Sequence, residues 1–342
     1  MLAVRELRAE VVGVRREAGS VTLKLRPGRR WSGFAAGQYV QIGVVVDGVR
    51  HTRCYSPVDS QHRRDGHIEL TVRAHPEGLV SQHLYRTAAP GLVLDLKPAD
   101  GVFRLPEPRP ERTLLISGGS GITPVLSMLR TLLDEGYPGQ VAFLHYARDL
   151  EHVPHRAELA RLAERPNLSW ALAFPRKTPA VRENAGAGRN PESWATLEGR
   201  FGLAHLEAIA PWFAQAQTYL CGPPGLQESA RELFARLRIG DRLHTEEFTP
   251  ASFAAAGPAA GRVRFTGSGI EVDNSGAGLL EQAEAAGLSP AHGCRMGICM
   301  SCTAVKTSGC TRNLRTGELD SDPDRHIQIC INAPVGDVAV QI

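Results

Sequence analysis

Long apolar runs, a strong excess of charge and a secretory leader are all missing from this sequence. No stretch of its 342 residues approaches the roughly 20 consecutive apolar residues that a membrane-spanning helix requires. The net charge of +3 is too small for the basic footprint of a nucleic-acid-binding domain. These absences predict a soluble chain whose only route to a membrane is a membrane-bound partner protein.

Cysteine is present in an informative pattern. The chain has seven cysteines, and without a signal peptide they indicate a reducing compartment, here the cytoplasm. Cys294, Cys299 and Cys302 have the spacing C-x4-C-x2-C, and Cys330 follows after 27 residues. This is the spacing of the thiolate ligands of a plant-type [2Fe–2S] ferredoxin.

A zinc site or a disulfide pair would be the alternatives to an iron–sulfur cluster. Zinc sites favour two separated pairs of ligands at C-x2–4-C spacing, which differs from the spacing found here. Gly293 and Gly297 suit a tight loop that aims backbone N–H groups at the sulfurs. Cys330 lies in the apolar run IQICINAPV, for which we predict a strand. Cys310 is left over, and we predict a free thiol in a turn.

The chain divides into segments of different periodicity, and its length suggests two or three domains. Residues 1–105 contain alternating apolar and β-branched runs, which predict an antiparallel barrel. Residues 106–248 alternate strand-like and helix-like stretches, the βαβ order of a parallel sheet with helices on both faces. Within them, 177–195 is a predicted surface loop. The small-residue stretch 249–261 is a predicted linker, and 262–342 carries the cysteine motif.

Two short motifs in the first segment fit a bound flavin. Arg53–Ser56 (RCYS) offers a phosphate partner, an aromatic wall and a polar group near N5, the hydride-accepting atom. Gly78–Ser81 (GLVS) precedes a helical stretch and offers free N–H groups to a pyrophosphate. Taken singly, the first motif fits an ordinary strand, and the serine of the second fits a simple N-cap.

Three motifs in the second segment fit a pyridine nucleotide. Gly118–Pro124 (GGSGITP) lies between a strand-like and a helix-like run, where glycines let the backbone approach a phosphate. Cys221–Pro224 (CGPP) follows another predicted parallel strand, at the edge where open α/β sheets bind ligands. Glu246 and Phe248 close the segment, where a carboxyl can relay protons and an aromatic ring can shield a flavin. The alternatives are a tight βα turn, a buried cysteine and a solvated acidic turn.

Together and in this order, the motifs resemble those of the ferredoxin–NADP reductase family, fused to a C-terminal plant-type ferredoxin domain. The resemblance covers nearly the whole chain. It implies a multidomain protein with an antiparallel β-barrel flavin domain, an α/β parallel-sheet nucleotide domain and an α+β β-grasp ferredoxin domain. The implied cofactors are FAD, rather than FMN, and a [2Fe–2S] cluster, with NADPH or NADH as the substrate.

The resemblance also implies roles for individual residues. Arg53 would hold the flavin phosphate, Tyr55 would stack on the isoalloxazine ring and Ser56 would hydrogen-bond near N5. Met300 departs from the small residue that many such ferredoxins have between the second and third cysteines. The implied catalytic residues are Ser56, Cys221, Glu246 and Phe248; the cofactor-binding residues are Arg53, Tyr55, Ser56, Gly78, Leu79, Val80, Ser81, Gly118, Gly119, Ser120, Gly121, Thr123, Arg148, Gly222 and Pro223; the cluster ligands are Cys294, Cys299, Cys302 and Cys330.

The implied reaction carries electrons from NAD(P)H through FAD and the cluster to an oxygen-activating partner. The domain order is shared with reductases of acyl desaturases, steroid hydroxylases, CoA-ester epoxidases and ring-hydroxylating oxygenases. The runs VKTSGCTRNLRTGEL and HIQICINAPVGDV look most like the reductases of fatty acyl desaturases. Arg148, with Arg176 or Lys177, is placed to contact a 2′-phosphate, which slightly favours NADPH. A non-enzymatic redox-sensing or binding module and a self-sufficient oxidoreductase are the alternatives.

Overall fold

A computed structural model of the chain describes residues 7–162, 167–176, 195–248, 260–297 and 300–342. The described residues form three six-stranded sheets and divide into two compact units. One unit comprises the described residues of Met1–Val46 and Tyr55–Phe248, and the other comprises those of Asp47–Cys54 and Thr249–Ile342. Among the described residues, no helix combines the length and the apolar character needed to span a bilayer.

The first sheet is antiparallel. Its elements are β1 (Arg8–Glu17), β2 (Ser20–Pro27), β3 (Val40–Val46), β4 (Val49–Tyr55), β5 (Ile68–Arg73), α1 (Leu79–Thr87) and β6 (Val93–Leu96). The strand order is β4-β3-β6-β1-β2-β5, and Leu23, Ile42 and Leu70 are among its fully buried core residues. An isolated bridge from Pro57 to Leu70 brings the chain beyond β4 against β5. The sheet therefore curls into a half-barrel.

The second sheet is parallel and has helices on both faces. Its elements are β7 (Arg112–Gly118), α2 (Ile122–Asp134), β8 (Gln140–Tyr146), α3 (Arg156–Leu162), β9 (Leu168–Phe174), β10 (Ala195–Glu198), α4 (Leu203–Ile209), β11 (Gln217–Cys221), α5 (Pro224–Arg236) and β12 (Leu243–Glu246). Residues of α2 and α3 share one core with Leu115 of β7, whereas α4 and α5 share another with Leu114 and Ile116. The order β10-β9-β8-β7-β11-β12 reverses direction between β7 and β11, which is where open α/β sheets bind ligands.

The third sheet has the mixed pairing of a β-grasp. Its elements are β13 (Arg262–Phe265), β14 (Ile270–Asp273), α6 (Leu279–Ala285), β15 (Thr303–Asn313), β16 (Leu319–Asp320), β17 (Arg325–Gln328) and β18 (Asn332–Gln341). Strand β18 is parallel to β13 and antiparallel to β15. Leu279, Leu280 and Ala283 pack from α6 into the core of this sheet. The predicted multidomain class, with its three kinds of sheet, is confirmed.

Several local predictions differ from the structure. Cys330 was expected on a strand, but it occupies a turn between β17 and β18, so that prediction is wrong. Cys310 is a free thiol as predicted, yet it lies on β15 and not in a turn. The predicted loop at 177–195 and linker at 249–261 lie almost entirely outside the described residues. The predicted domain limits stay predictions.

Candidate flavin, nucleotide and iron–sulfur sites

The loops after β7 and β11 touch each other through their backbones. Ser117 and Cys221 are register partners at the ends of these two strands. A Cβ atom added to Gly121 would lie 2.2 Å from the carbonyl oxygen of Cys221, and one added to Gly118 would lie 2.8 Å from Cδ of Pro223. Only glycine fits at these contacts, so the motifs GGSGITP and CGPP form one edge of the sheet.

The helix that follows the first loop begins without a side-chain cap. Its N-cap is Gly121, and no described side chain hydrogen-bonds to this cap. The hydroxyl of Thr123 donates to the backbone oxygen of Ser120 at 3.2 Å, which tightens the turn, and Gly119 has a φ of +55°. A glycine loop that opens a 13-residue helix suits a phosphate group, because the first-turn N–H groups and the helix dipole favour an anion.

Cys221 and Glu246 lie side by side at the ends of β11 and β12. They are register partners, and Gln227 Nε2 donates to the backbone oxygens of Gly222 at 3.0 Å and of Glu246 at 2.9 Å. Burial, with the nearby carboxylates of Glu246 and Glu247, raises the pKa of the Cys221 thiol well above its usual value. Cys221 is therefore a neutral thiol, suited to contact a ring and not to attack one.

The carboxyl of Glu246 is suited to hold a proton near neutral pH. Its Oε2 atom is excluded from solvent and has no hydrogen-bond partner in the described residues. Burial raises its pKa to about 8, because the charged form loses its hydration. Phe248, two residues further on, is partly buried against the core that includes Cys221. The catalytic roles predicted for both residues stay predictions.

Two polar residues that sequence analysis missed extend the same row of the sheet. Ser117 is the register partner of Cys221 on one side and of His145 on the other. Its Oγ atom lies 2.8 Å from Nδ1 of His145. The imidazole is completely buried, burial lowers its pKa to about 3, and its Nε2 has no partner in the described residues. The sequence signal that could have identified this pair is a histidine inside the otherwise apolar strand VAFLHY.

The flavin motif RCYS occupies the end of β4 and the residue after it. Arg53 donates from Nη1 to the backbone oxygen of Thr52 at 2.8 Å, and Tyr55 is partly buried against the half-barrel core. Ser56 is only 1% exposed, and its Oγ has no partner in the described part of the chain. Buried hydroxyls normally have a partner, so this one fits a bound polar group such as a flavin ring.

The second flavin motif opens helix α1. The helix begins at Leu79 with Gly78 as its N-cap, one turn earlier than an N-cap at Ser81 would place it. Ser81 Oγ donates to the backbone oxygen of Gly78 at 3.1 Å and accepts from the N–H of His75 at 3.2 Å. Val80 is buried, which leaves the backbone of this turn as the group that a pyrophosphate can meet.

The cysteine motif forms a loop before β15. Cys294 and Cys302 are buried and Cys330 is half-buried. A hydrogen bond with the Cys302 thiol, together with burial, raises the pKa of Cys330, so these two thiols lie in contact. The backbone N–H of Met296 donates to Sγ of Cys294 at 3.3 Å, the kind of contact that tunes a cluster ligand. The donor set fits an iron–sulfur cluster; Cys299 lies outside the described residues.

Glycine and methionine shape the rest of this loop. Gly297 has a φ of +73°, and a Cβ atom there would lie 2.5 Å from Cδ1 of Ile331. Met300 also has a positive φ, +56°, and its side chain is 63% exposed. The residue that departs from the family pattern therefore projects an apolar side chain from the cluster loop into solvent.

Arg148 follows β8, the strand next to β7. Its Nε donates to Oδ2 of Asp149 at 3.2 Å, and Asp149 Oδ1 accepts from the N–H of His152 at 3.0 Å. The guanidinium is 66% exposed, so it remains accessible to a ligand. Arg176 is likewise exposed after β9, and Lys177 lies outside the described residues.

Family models match each of the three sheets. A model of the oxidoreductase FAD-binding domain matches residues 12–105, and one of the oxidoreductase NAD-binding domain matches residues 115–232. A model of the 2Fe–2S iron–sulfur cluster binding domain matches residues 263–331. The predicted set of FAD, NAD(P)H and [2Fe–2S] is thus confirmed at the level of domains.

Relatives match this chain over nearly its whole length. An NADPH oxidoreductase of Mycobacterium tuberculosis is 38% identical over 99% of this chain and 85% of the relative. A glycine betaine monooxygenase reductase subunit of Pseudomonas aeruginosa is 29% identical over 90% of this chain and 87% of the relative. The structure of phthalate dioxygenase reductase superposes with a TM-score of 0.66 at 21% identity, covering 99% of this chain and 98% of that one.

Fold and sites define a pyridine nucleotide-dependent flavoprotein reductase that also carries an iron–sulfur domain. The chain is an oxidoreductase of this kind. It belongs to the ferredoxin–NADP reductase family, in the form that ends in a [2Fe–2S] ferredoxin domain. The resemblance inferred from the motifs is confirmed, whereas the roles of the individual site residues stay predictions.

Glu246→Gln should change how stability depends on pH. The folded-state pKa of about 8 lies above the ordinary value of 4.5, so the folded chain binds the extra proton and loses stability as pH rises from 4.5 towards 8. The full loss is on the order of 5 kcal/mol. Glu246→Gln should therefore unfold at a higher temperature than wild type above pH 8, with the two converging near pH 5.

Thermal unfolding of the FAD-loaded protein from pH 5 to 9 measures this difference. Glu247→Gln, which alters an exposed neighbour paired with Arg231, is the control and should follow wild type across the range. Parallel pH curves for Glu246→Gln and wild type would show that the Glu246 carboxyl is already ionised at neutral pH.

Proposed function

We propose that this chain takes hydride from NADPH or NADH and delivers single electrons to a separate oxygen-activating protein. The observation that carries the proposal is the presence, in one chain, of a nucleotide loop, a flavin strand and a four-cysteine motif on three successive domains. Each is the kind of site that one stage of such a transfer requires. When bound, the flavin supplies the conversion between a two-electron hydride and single electrons.

The residues of the chain position the reacting groups and hold protons. Arg53 would pair with the flavin phosphate, and Tyr55 and Ser56 would supply a ring face and a buried hydroxyl. The neutral Cys221 thiol would contact the nicotinamide without competing as a nucleophile. Glu246 would keep a proton at its buried carboxyl near neutral pH, where it can be given to or taken from the site. The remaining glycine-rich backbone would bind phosphate groups.

Cluster-ligand variants separate the two halves of the proposed transfer. Cys330→Ala should leave FAD content and NADPH-dependent ferricyanide reduction intact, because ferricyanide accepts electrons directly from a flavin. It should lower anaerobic cytochrome c reduction by about a hundredfold or more, since one of four thiolate ligands is lost. Cluster absorbance and both acceptor rates are the measurements.

Cys310→Ala is the matched control for this experiment. Cys310 is a free thiol on β15, outside the ligand motif, so its removal should change neither rate. Cytochrome c reduction that survives in Cys330→Ala would mean that electrons leave without passing through the cluster.

NADPH is the proposed hydride donor in preference to NADH. The relative from Mycobacterium tuberculosis is described as an NADPH oxidoreductase, and the exposed Arg148 guanidinium lies beyond β8, where an arginine can accommodate a 2′-phosphate. Arg148→Ala should lower kcat/KM for NADPH about tenfold while changing that for NADH by less than about twofold. Steady-state ferricyanide reduction gives both values. If Arg176→Ala weakened the preference for NADPH and Arg148→Ala did not, the contact with the 2′-phosphate would be assigned to Arg176.

The electron acceptor is proposed to be an oxygenase or a fatty acyl desaturase. The relative from Pseudomonas aeruginosa is a monooxygenase reductase subunit, which supports the oxygen-activating class. The narrower preference for a desaturase rests on the sequence of the ferredoxin domain alone. Reduced protein should therefore pass electrons faster to a purified acyl desaturase than to a ring-hydroxylating oxygenase, followed as cluster reoxidation. Faster electron transfer to the oxygenase than to the desaturase would remove the preference for a desaturase but would still agree with an oxygen-activating acceptor.

A further inference from the structure

Helix α2 carries polar side chains on the face that meets the half-barrel. Ser127, Thr131 and the C-cap residue Glu135 are four residues apart, and Arg130 is three residues after Ser127, a spacing that places them on one side of a helix. Ser127 and Thr131 are completely buried. Polar groups that are buried in this way normally have partners, and their partners here come from outside the nucleotide-binding sheet.

The first two side chains bind consecutive carbonyl groups of one segment, Pro57–His62. Ser127 Oγ donates to the backbone oxygen of Asp59 at 2.6 Å. Arg130 Nη1 donates to the backbone oxygen of Val58, also at 2.6 Å. Because the acceptors are main-chain atoms, these bonds hold the path of the segment and not only its side chains.

The other two side chains continue the same pairing towards the C-terminal end of α2. Thr131 Oγ1 accepts from the backbone N–H of Gln61 at 3.1 Å. The ring of His62 lies 2.7 Å from Oε1 of Glu135, and Arg109 binds both oxygens of this carboxylate at 2.9 and 2.7 Å. Four successive contacts therefore align one face of α2 with Pro57–His62.

The two aligned elements begin at the two cofactor motifs. Pro57–His62 follows Ser56, the last residue of RCYS, with no intervening residue. Helix α2 begins immediately after Gly119–Gly121, the loop that touches Cys221 and Gly222. The polar face of α2 therefore connects Pro57–His62, which directly follows the flavin motif, with the loop that would hold the nicotinamide dinucleotide, and these elements lie within one compact unit.

We propose that the polar face of α2 is a positioning element that sets the distance between the flavin and the nicotinamide for hydride transfer. The proposal rests on the proposed function. Ser127 and Thr131 touch neither cofactor motif directly, so they act as positioning residues through Pro57–His62.

Hydrogen bonding explains why the contact between α2 and Pro57–His62 fixes the relative position of the flavin and nucleotide motifs and does more than join two domains. An apolar contact tolerates sliding, but hydrogen bonds to the backbone groups of Val58, Asp59 and Gln61 have one register. Displacement by one helical turn would move the segment about 5.4 Å, and hydride transfer requires reacting atoms within about 3.5 Å. Errors of a fraction of a turn would already reduce the rate, because a misplacement of about 1 Å can cost about a hundredfold.

The variant Ser127→Ala/Thr131→Val removes two of these bonds and keeps side-chain volume almost unchanged. We expect full FAD content and an unchanged Kd for NADP⁺. The rate constant of flavin reduction at saturating NADPH, measured anaerobically by stopped flow, should fall about tenfold or more. The charge-transfer absorbance between flavin and nicotinamide should weaken. A second readout does not depend on activity. In the absence of NADPH, hydrogen exchange at the Gln61 amide should be faster in the variant than in wild type.

Two variants on the same helix serve as controls. Thr131→Ser keeps the acceptor oxygen and should restore amide protection and rate when it replaces Thr131→Val. Asp134→Asn changes an exposed residue of α2 and should behave as wild type. If the double variant fails to fold, Thr131→Val alone has the same two readouts.

Each outcome decides between the proposals. If the Gln61 amide of the double variant exchanged faster but the flavin were still reduced at the wild-type rate, the positioning role would be overturned. It would also be overturned if the double variant protected this amide as well as wild type does. A wild-type protein whose flavin neither NADPH nor NADH reduces would overturn the proposed function instead, while amide exchange would still report the contact.

Discussion

The close approach of two backbones at the ends of β7 and β11 is the constraint on which the predicted nucleotide site depends. A side chain at Gly121 would overlap the carbonyl of Cys221, and one at Gly118 would overlap Pro223. Because neither glycine has a side chain, the two strand ends meet. Cys221 and Glu246 then lie beside the loop that opens α2. The reversal of strand order lies where open α/β sheets bind ligands, and the glycines allow the two backbones to approach closely there.

Features encoded by short stretches of chain were predictable from the sequence. The antiparallel barrel and the βαβ order of the parallel sheet follow from apolar periodicity, which reports local structure directly, whereas the third kind of sheet was implied by the family resemblance. The loop Gly118–Pro124 could also be recognised, because its glycines, its helix start and its proline lie within seven residues. The cysteine spacing is local in the same sense, since three of the four ligands belong to one loop.

Features that depend on register or on the main chain were not predictable. Ser117 and His145 become neighbours only when β7 and β8 pair in a particular register, which neither strand encodes alone. Cys330 lies in a turn although Ile329 and Ile331 beside it are both buried, so the apolar run predicted a strand. The partners of Ser127 and Arg130 are carbonyl groups, which every residue has and no sequence pattern marks.

Burial leaves three side chains in the row of Cys221 without charge at neutral pH. The thiol and the Glu246 carboxyl keep their protons, and the His145 imidazole is neutral. A nicotinamide ring becomes a cation when it gives up hydride. If the ring binds in this row as proposed, the oxidised form meets three uncharged buried side chains, among which a cation is poorly solvated, while the carboxylate of Glu247 is already paired with Arg231. The oxidised nucleotide would then bind less tightly than the reduced one, which would favour its release.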